Sequence, residues 1–185
     1  MVVETSLTRI ARALNWYQTM GFEYVECPWF VETHIMTATC PPERIVSSTL
    51  GNLVGSAEQS FLALEFQGAL TKGRYVGYTP CFRPDDVDDL HQQCFHKVEL
   101  YQTDDVSHEA LKQLIRTAKA FIEGAVYEAG KDVANVTVER SQDGYDILIK
   151  GVEVGSYGIR TYEGKTWVFG TGCAEPRLTK ALTFI

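Results

Sequence analysis

One stretch of the chain, residues 75–102, constrains the fold more than any other, because it predicts two paired strands joined by a polar loop. Aromatic and β-branched residues dominate 75–82, and apolar and polar side chains alternate over 94–101, as in a half-buried strand. Pro84 and four aspartates lie between them, and the mutual repulsion of these aspartates keeps the loop out of a packed core. The simplest interpretation is a β-hairpin with an acidic loop.

Three side chains give this hairpin a chemical interpretation. Arg83 stands at the start of the loop, and His91 and Phe95 stand at its end. A guanidinium group grips phosphate oxygens in a fixed fork, and an aromatic ring can stack on a base. The stretch therefore predicts a nucleotide site.

The same residues resemble motif 2 of the class II aminoacyl-tRNA synthetases, most closely the seryl branch. That motif reads Phe-Arg-x-Glu, a loop, His or Arg, three residues and Phe; this chain has Phe-Arg-Pro-Asp from residue 82 and His-Gln-Gln-Cys-Phe from residue 91. The spacing agrees, and Asp85 replaces the usual glutamate. The resemblance implies that Arg83, Asp85, His91 and Phe95 bind ATP, with Arg83 also holding the amino-acid carboxylate.

The first thirty residues resemble motif 1 of the same family. Apolar residues at helical spacing predict a helix over 5–20 that ends at Gly21, and a strand over 22–31 that Pro28 interrupts. Because proline donates no ladder hydrogen bond, we expect this strand at an edge or an interface. The resemblance implies a homodimer formed through residues 5–31; an edge strand without a dimer is the alternative.

A candidate amino-acid site follows residues 34–53, which read mostly as loop. Ser56 and Glu58 match the Thr-x-Glu of the seryl branch, which recognises the α-ammonium group, and the resemblance adds Glu99 to that pocket. Gly155 is a further candidate, because glycine lets the backbone pass close to a substrate. A carboxylate suits an ammonium by direct ion pairing. Equally, Ser56 can cap a helix whose first turn contains Glu58. Both roles remain open.

The second half of the chain supplies further elements of the resemblance. An apolar stripe predicts a core helix over 107–130, and strands are predicted over 133–140, 145–150, 152–159 and 166–169. Glu153 and Ser156 match the family position that coordinates ATP-bound Mg²⁺, and hard oxygen ligands suit that ion. A glycine-bent hairpin with an exposed Glu153 is the alternative interpretation.

Residues 167–185 resemble motif 3, a glycine-rich strand entering a helix that begins with an arginine. Gly170, Gly172 and Arg177 are in register with the motif, Ala174 replaces its third glycine, and Pro176 stands where an acid is common. The resemblance implies that the glycines approach ATP, and that Arg177 binds the γ-phosphate and covers the adenine opposite Phe95.

Zinc requires separate consideration, because some seryl-like relatives, including amino acid:carrier protein ligases, hold the α-amino group through zinc on Cys-Glu-Cys. Cys173 and Glu99 are candidate ligands. However, the Ser-x-Glu element is present, and Cys173 lies closer to Arg177 than the zinc cysteine would. The five cysteines read more simply as small buried apolar residues, so we expect no zinc.

Together these features predict one α+β domain over residues 1–185, a mainly antiparallel sheet flanked by helices, with no anticodon or tRNA-arm domain. No apolar run approaches the ~20 residues of a membrane helix, no secretory signal is expected, and the odd cysteine number suits the cytoplasm. The net charge of −7 disfavours strong unaided tRNA binding.

The resemblance implies amino-acid activation by ATP and Mg²⁺, with transfer to a carrier protein, a small molecule or a tRNA acceptor end. A tRNA synthetase that relies on a partner for RNA binding, and a non-catalytic ligand-binding paralogue, are the alternatives. The amino acid and the acceptor are not readable from the sequence.

Overall fold

The computed structural model describes residues 6–84, 87–88 and 92–184. The helices of these residues are α1 (Ser6–Thr19), α2 (Thr33–Met36), α3 (Ala57–Phe66), α4 (His108–Glu128) and α5 (Arg177–Thr183). The strands are β1 (Glu23–Tyr24), β2 (Phe30–Val31), β3 (Val46–Ser48), β4 (Gly51–Leu53), β5 (Arg74–Phe82), β6 (Cys94–Gln102), β7 (Val136–Arg140), β8 (Tyr145–Ile149), β9 (Val152–Tyr162) and β10 (Lys165–Glu175). Short 3₁₀ turns cover Pro42–Arg44 and Val133–Asn135.

A seven-stranded sheet in the order β1-β5-β6-β10-β9-β8-β7 forms the centre of the molecule. Strand β1 runs parallel to β5, and the other neighbouring pairs are antiparallel. The predicted hairpin is confirmed, because β5 and β6 pair continuously from Arg74 opposite Gln102 to Phe82 opposite Cys94. The α+β class with a mainly antiparallel sheet is confirmed as well.

The two faces of this sheet carry different helices, since successive side chains of a strand point to opposite faces. Val76, Leu100 and Val168 belong to the core that packs against α1 and α4. Their sequence neighbours Tyr101 and Trp167 belong to a second core with α3, where Tyr101 stacks on Phe61 and Trp167 at ring-centroid distances of 5.1 and 5.8 Å. The α3 face is the one that carries the site described below.

The two long helix predictions are confirmed, with their ends close to the expected positions. Helix α1 is followed by Gly21 with φ +85°, and α4 by Gly130 with φ +72°, a left-handed conformation that glycine adopts without a steric penalty. Ser107 caps α4 by accepting a hydrogen bond from the Ala110 N–H at 3.2 Å. No helix in the described ranges is both long and apolar enough to cross a bilayer.

Several shorter elements differ from the predictions. The strand expected over 22–31 is two short strands in different sheets, β1 at the edge of the large sheet and β2 paired with β4. The prediction that residues 34–53 are mostly loop was wrong, since α2, β3 and β4 lie within or overlap this range. These elements are only three or four residues long, too short to show a period, and the two strands form by pairing among β2, β3 and β4.

Candidate functional site

A cleft of about 370 Å³ lies on the α3 face, where the ends of several strands and the starts of α3 and α5 meet. Most of the residues predicted from the sequence line it, namely Ser56, Glu58, Arg83, Phe95, Glu153, Gly155, Ser156 and Arg177. Residues from positions 56 to 177 of the chain are therefore brought together, as the resemblance implies. Asp85 and His91 lie outside the described residues.

Arg83 and Phe95 sit where β5 ends and β6 begins. The Arg83 guanidinium carbon lies 5.2 Å from the centre of the Phe95 ring, and its Nε donates to the Gly55 carbonyl at 3.0 Å. The Arg83 backbone N–H donates to the Gln93 carbonyl at 2.9 Å, which keeps the hairpin closed at this point. A fixed cation beside an aromatic face is suited to a phosphate group and a stacked base.

Arg177 is the first residue of α5 and faces Glu153 of β9 across the cleft. Its Nη1 lies 3.5 Å from the Glu153 carboxylate, and the two side chains are 26% and 48% exposed. Such a long and open contact is a weak ion pair, so either group is available to a ligand. We call this part of the cleft the Arg177 end.

Ser56 has the capping role that its position predicts and a second contact besides. It accepts from the Glu58 N–H at the start of α3, while the Gln59 side chain accepts from the Gly55 and Ser56 N–H groups at 2.8 and 3.3 Å. Its hydroxyl donates to Glu99 Oε2 at 2.5 Å. The cap thus fixes the start of α3 against β6.

Glu99 is fully buried below the cleft rather than on its surface. Its carboxylate accepts from Ser56 and forms an ion pair with Lys97 at 2.8 Å. Burial raises the pKa of the Glu99 carboxyl above its ordinary value, and the nearby Lys97 ammonium lowers it in opposition. Lys97 lines the cleft, so it lies between the buried Glu99 carboxylate and a ligand in the cleft.

Glu58 is equally occupied. One of its oxygens accepts from the Trp167 indole N–H at 2.7 Å, and the other from Arg160 Nη1 at 2.5 Å. The Arg160 guanidinium carbon lies 4.0 Å from the centre of the Phe169 ring, so the arginine is held from two sides. We call this part of the cleft the Arg160 end.

Gly170 and Gly172 lie within β10 but are not among the lining residues of the cleft. A Cβ atom at Gly170 would come within 2.4 Å of Leu114, and one at Gly172 within 2.8 Å of Tyr17. The main observed reason for glycine at both positions is therefore close packing against the core. A register shift between Thr171 and Cys173 marks a bulge at Gly172.

The two candidate zinc ligands, Cys173 and Glu99, lie in different surroundings. Cys173 is buried in the core on the α1 and α4 side, whereas Glu99 is held by Ser56 and Lys97. In the described ranges, no three His, Cys, Asp or Glu side chains are grouped to share a metal ion.

Sequence reasoning missed several cations that line the cleft, among them Arg44, Lys97 and Arg160. A signal for two of them was available. Strand alternation puts Lys97 on the same face as Phe95, and Arg160 on the same face as Ser156. Arg44 follows no such rule, because it belongs to a short 3₁₀ turn that only the tertiary structure brings to the cleft.

The charges of the cleft contrast with those of the whole chain. Its described lining residues include five cations (Arg44, Arg83, Lys97, Arg160, Arg177) and four carboxylates (Glu58, Asp143, Glu153, Glu175), a balance of about +1 against −7 for the chain. Glu175 is already paired with Arg9, which lies outside the cleft. This acidic protein therefore carries a slight excess of positive charge at one concave site, which favours anionic ligands there.

Solved structures share this architecture. Two structures of pyrrolysyl-tRNA synthetase from Desulfitobacterium hafniense align with 94% and 96% of the chain at TM-scores of 0.70 and 0.69 and 18% and 16% identity. Seryl-tRNA synthetase from Pyrococcus horikoshii, complexed with ATP, aligns with 94% of the chain at a TM-score of 0.67 and 18% identity. The chain spans about two thirds of the pyrrolysyl enzyme, 66% and 68% in the two structures, and 49% of the seryl enzyme.

Neither a protein-family model nor a curated protein sequence matches the chain. The similarity is thus one of three-dimensional structure over nearly the full length of the chain. The chain has the fold of the class II aminoacyl-tRNA synthetase catalytic core.

Proposed function

We propose that this protein activates an amino acid with ATP, forming an aminoacyl adenylate and releasing pyrophosphate. The observation that carries the proposal is the convergence of Arg83, Phe95, Glu153 and Arg177 on one cleft. The ATP held by the seryl enzyme of the same fold is consistent with it.

The chemistry brings two anions together. A carboxylate oxygen of the amino acid attacks the α-phosphorus of ATP, and the bond between that phosphorus and the bridging oxygen of pyrophosphate breaks. Positioning and charge neutralisation can carry this reaction without a protein nucleophile. In the proposal Arg83 holds the carboxylate and the α-phosphate, Arg177 holds the γ-phosphate, and Phe95 stacks on the adenine. Asp85 and His91 keep their predicted ATP contacts.

Magnesium fits the residues present at the Arg177 end. Glu153 supplies one half-exposed carboxylate and Ser156 a hydroxyl, both hard oxygen donors in the lining of the cleft. Mg²⁺ typically uses one or two carboxylates together with waters and substrate phosphates, so it does not need an all-protein site. When bound, it would neutralise the outer phosphates; Glu153 and Ser156 would orient it.

The amino acid would occupy the remaining part of the cleft, beside Ser56, Glu58, Gly155 and the buried Glu99. Because Glu58 and Glu99 are both paired, an incoming ammonium group must share these carboxylates with Arg160 and Lys97. Transfer to a carrier protein, a small molecule or a tRNA end completes the proposal. We place this activity in the cytoplasm.

A homodimer formed through residues 5–31 is part of the same proposal. Met20, Tyr24 and Trp29 are 40%, 41% and 48% exposed in the single chain, and these are apolar side chains that a second copy could cover. Light scattering should give twice the mass of the chain, and the variant Trp29→Glu should shift the protein toward the monomer. A monomeric mass for the unmodified protein would remove the dimer from the proposal.

The decisive experiment is amino-acid-dependent exchange of labelled pyrophosphate into ATP, with Mg²⁺, across all twenty amino acids. We expect a signal for one or a few of them, and loss of that signal in Arg83→Ala with the fold intact by circular dichroism. Arg74→Ala, at the other end of the same strand, is the matched control. Exchange that survives in Arg83→Ala contradicts the proposed role, and no exchange at all in folded protein favours a ligand-binding module.

A further inference from the structure

The Arg160 end of the cleft carries a cation that the proposed reaction does not use. Arg160 lies on β9, directly opposite Trp167 of β10. A strand advances about 3.3 Å per residue, so Arg160 is about 13 Å along β9 from Ser156 and farther still from Glu153. Its place on the strand is therefore distinct from the part of β9 proposed to face the phosphates of ATP.

Arg160 is held in place rather than mobile. Glu58 accepts one of its N–H groups at 2.5 Å, and Phe169 covers one face of its guanidinium at 4.0 Å. Glu58, whose side chain is 4% exposed, is itself fixed by Trp167 at 2.7 Å. A chain of contacts from Trp167 through Glu58 thus sets the orientation of the guanidinium.

The fixed guanidinium retains capacity for a ligand. Guanidinium has five N–H donors, and in the part of the chain that the structure describes Arg160 donates a hydrogen bond to Glu58 alone. The other nearby acid is Asp143, 4.0 Å from Nη2 and 69% exposed, so water screens its charge. The Arg160 side chain is 30% exposed and lines the cleft, so its remaining N–H donors are accessible to a ligand there.

We propose that the amino acid bound in this cleft carries a carboxylate on its side chain, and that Arg160 is the specificity-determining residue that binds it. The planar fork of a guanidinium matches a carboxylate through two parallel hydrogen bonds, and a neutral amide offers only one acceptor oxygen. In this assignment Glu58 is a positioning residue for Arg160. The assignment rests on the proposed function for the identity of the ligand as an amino acid.

The test is direct binding, measured by calorimetry with L-aspartate, L-glutamate, L-asparagine and L-glutamine, each with and without a non-hydrolysable ATP analogue. We expect at least one acidic amino acid to bind at least tenfold more tightly than its amide. The variant Arg160→Met should remove that preference and leave the affinity for the ATP analogue unchanged. Arg140→Met, an exposed arginine at the end of β7 and outside the cleft, should keep both.

Arg160→Met leaves one buried oxygen of Glu58 without its cation, so this variant can lose stability. The double variant Glu58→Gln/Arg160→Met removes both charges and serves as the second form of the test. Acidic amino acids that bind no better than their amides, or a preference that persists in either folded variant, overturn the inference. If the ATP analogue does not bind, the proposed function is contradicted. The preference for acidic amino acids is measured without the analogue as well, so it tests the inference separately.

Discussion

Two arginine–glutamate pairs at the start of α5 show how differently the same pair of residue types can be used. Arg9 and Glu175 are 2.6 Å apart, with side chains only 9% and 0% exposed. The second pair contains Arg177, which lies two residues after Glu175. Arg177 and Glu153 are 3.5 Å apart, with side chains 26% and 48% exposed. Water around the second pair weakens it and leaves both partners accessible to a ligand.

The buried pair joins three elements. Arg9 of α1 also donates to the Thr179 hydroxyl at 2.6 Å, and Glu175 accepts from the Thr179 N–H at 3.1 Å. The end of β10, the start of α5 and α1 are thereby held together just where Arg177 enters the cleft. The buried pair thus orients the helix, whereas the exposed pair is the one suited to binding.

The variant Arg9→Met tests the structural role of the buried pair and should have the largest effect. It leaves the Glu175 carboxylate buried without its cation, so we expect the free energy of unfolding to fall by about 3–5 kcal/mol. Urea denaturation followed by circular dichroism measures this change. Arg12→Met is the matched control on the same helix, because the Arg12–Glu128 pair is exposed and is expected to cost only ~0–1 kcal/mol. Equal losses in the two variants would mean that burial does not distinguish these pairs.

Arg177→Met should weaken ATP binding while leaving the stability of the fold nearly unchanged. Because its contact with Glu153 is weak, we expect the free energy of unfolding to change by less than about 0.5 kcal/mol. The affinity for ATP should fall by roughly tenfold to a hundredfold, the loss of one charge-assisted contact of about 1.5–3 kcal/mol. Calorimetric titration with ATP and Mg²⁺ measures it, and Lys180→Met on the same helix is the control. Unchanged ATP affinity in Arg177→Met would contradict the proposed role of the exposed pair.

A third ion pair, Lys97–Glu99, should contribute to stability in a pH-dependent way. The pKa of Glu99 is raised in the folded protein because the carboxyl is buried, so the folded state binds its proton more tightly than the unfolded state does. Its contribution to stability is therefore fully present below the ordinary carboxyl pKa of 4.5 and is lost as pH rises through the raised value.

The measurement is the free energy of unfolding from pH 4 to pH 8 for the unmodified protein and for Glu99→Gln. We expect the difference between them to shift in favour of Glu99→Gln as pH rises. A pH-independent difference would mean that Lys97 balances the effect of burial, and a shift in the other direction would mean that it outweighs burial.

Glu153→Gln, like Arg177→Met, should change the free energy of unfolding little. Its carboxylate is half-exposed and only loosely paired, so we expect a change within about ±0.5 kcal/mol. The apparent affinity for ATP should nevertheless become less dependent on Mg²⁺, which titration at several Mg²⁺ concentrations will reveal. An unaltered Mg²⁺ dependence would remove Glu153 from the proposed metal site.

The long strands and helices of the fold could be predicted from the sequence alone. Period-two alternation over 94–101 and the helical stripe over 107–130 are local patterns that repeat often enough to be read, and Gly21 and Gly130 end their helices as expected. The family resemblance, rather than any local pattern, grouped Arg83, Phe95, Glu153 and Arg177 in one site, and these four residues line the same cleft.

Long-range contacts in the tertiary structure determine which charged side chains pair with one another. Nothing local in the sequence indicates that Glu58 meets Arg160 and Trp167, which lie more than a hundred residues away, or that Arg9 pairs with Glu175 across 166 residues. Gly170 and Gly172 illustrate the same limit, because their motif suggested contact with ATP while their main observed neighbours belong to the core. A motif identifies residue types and their order, whereas burial and long-range contacts determine which of those groups remain available to a ligand.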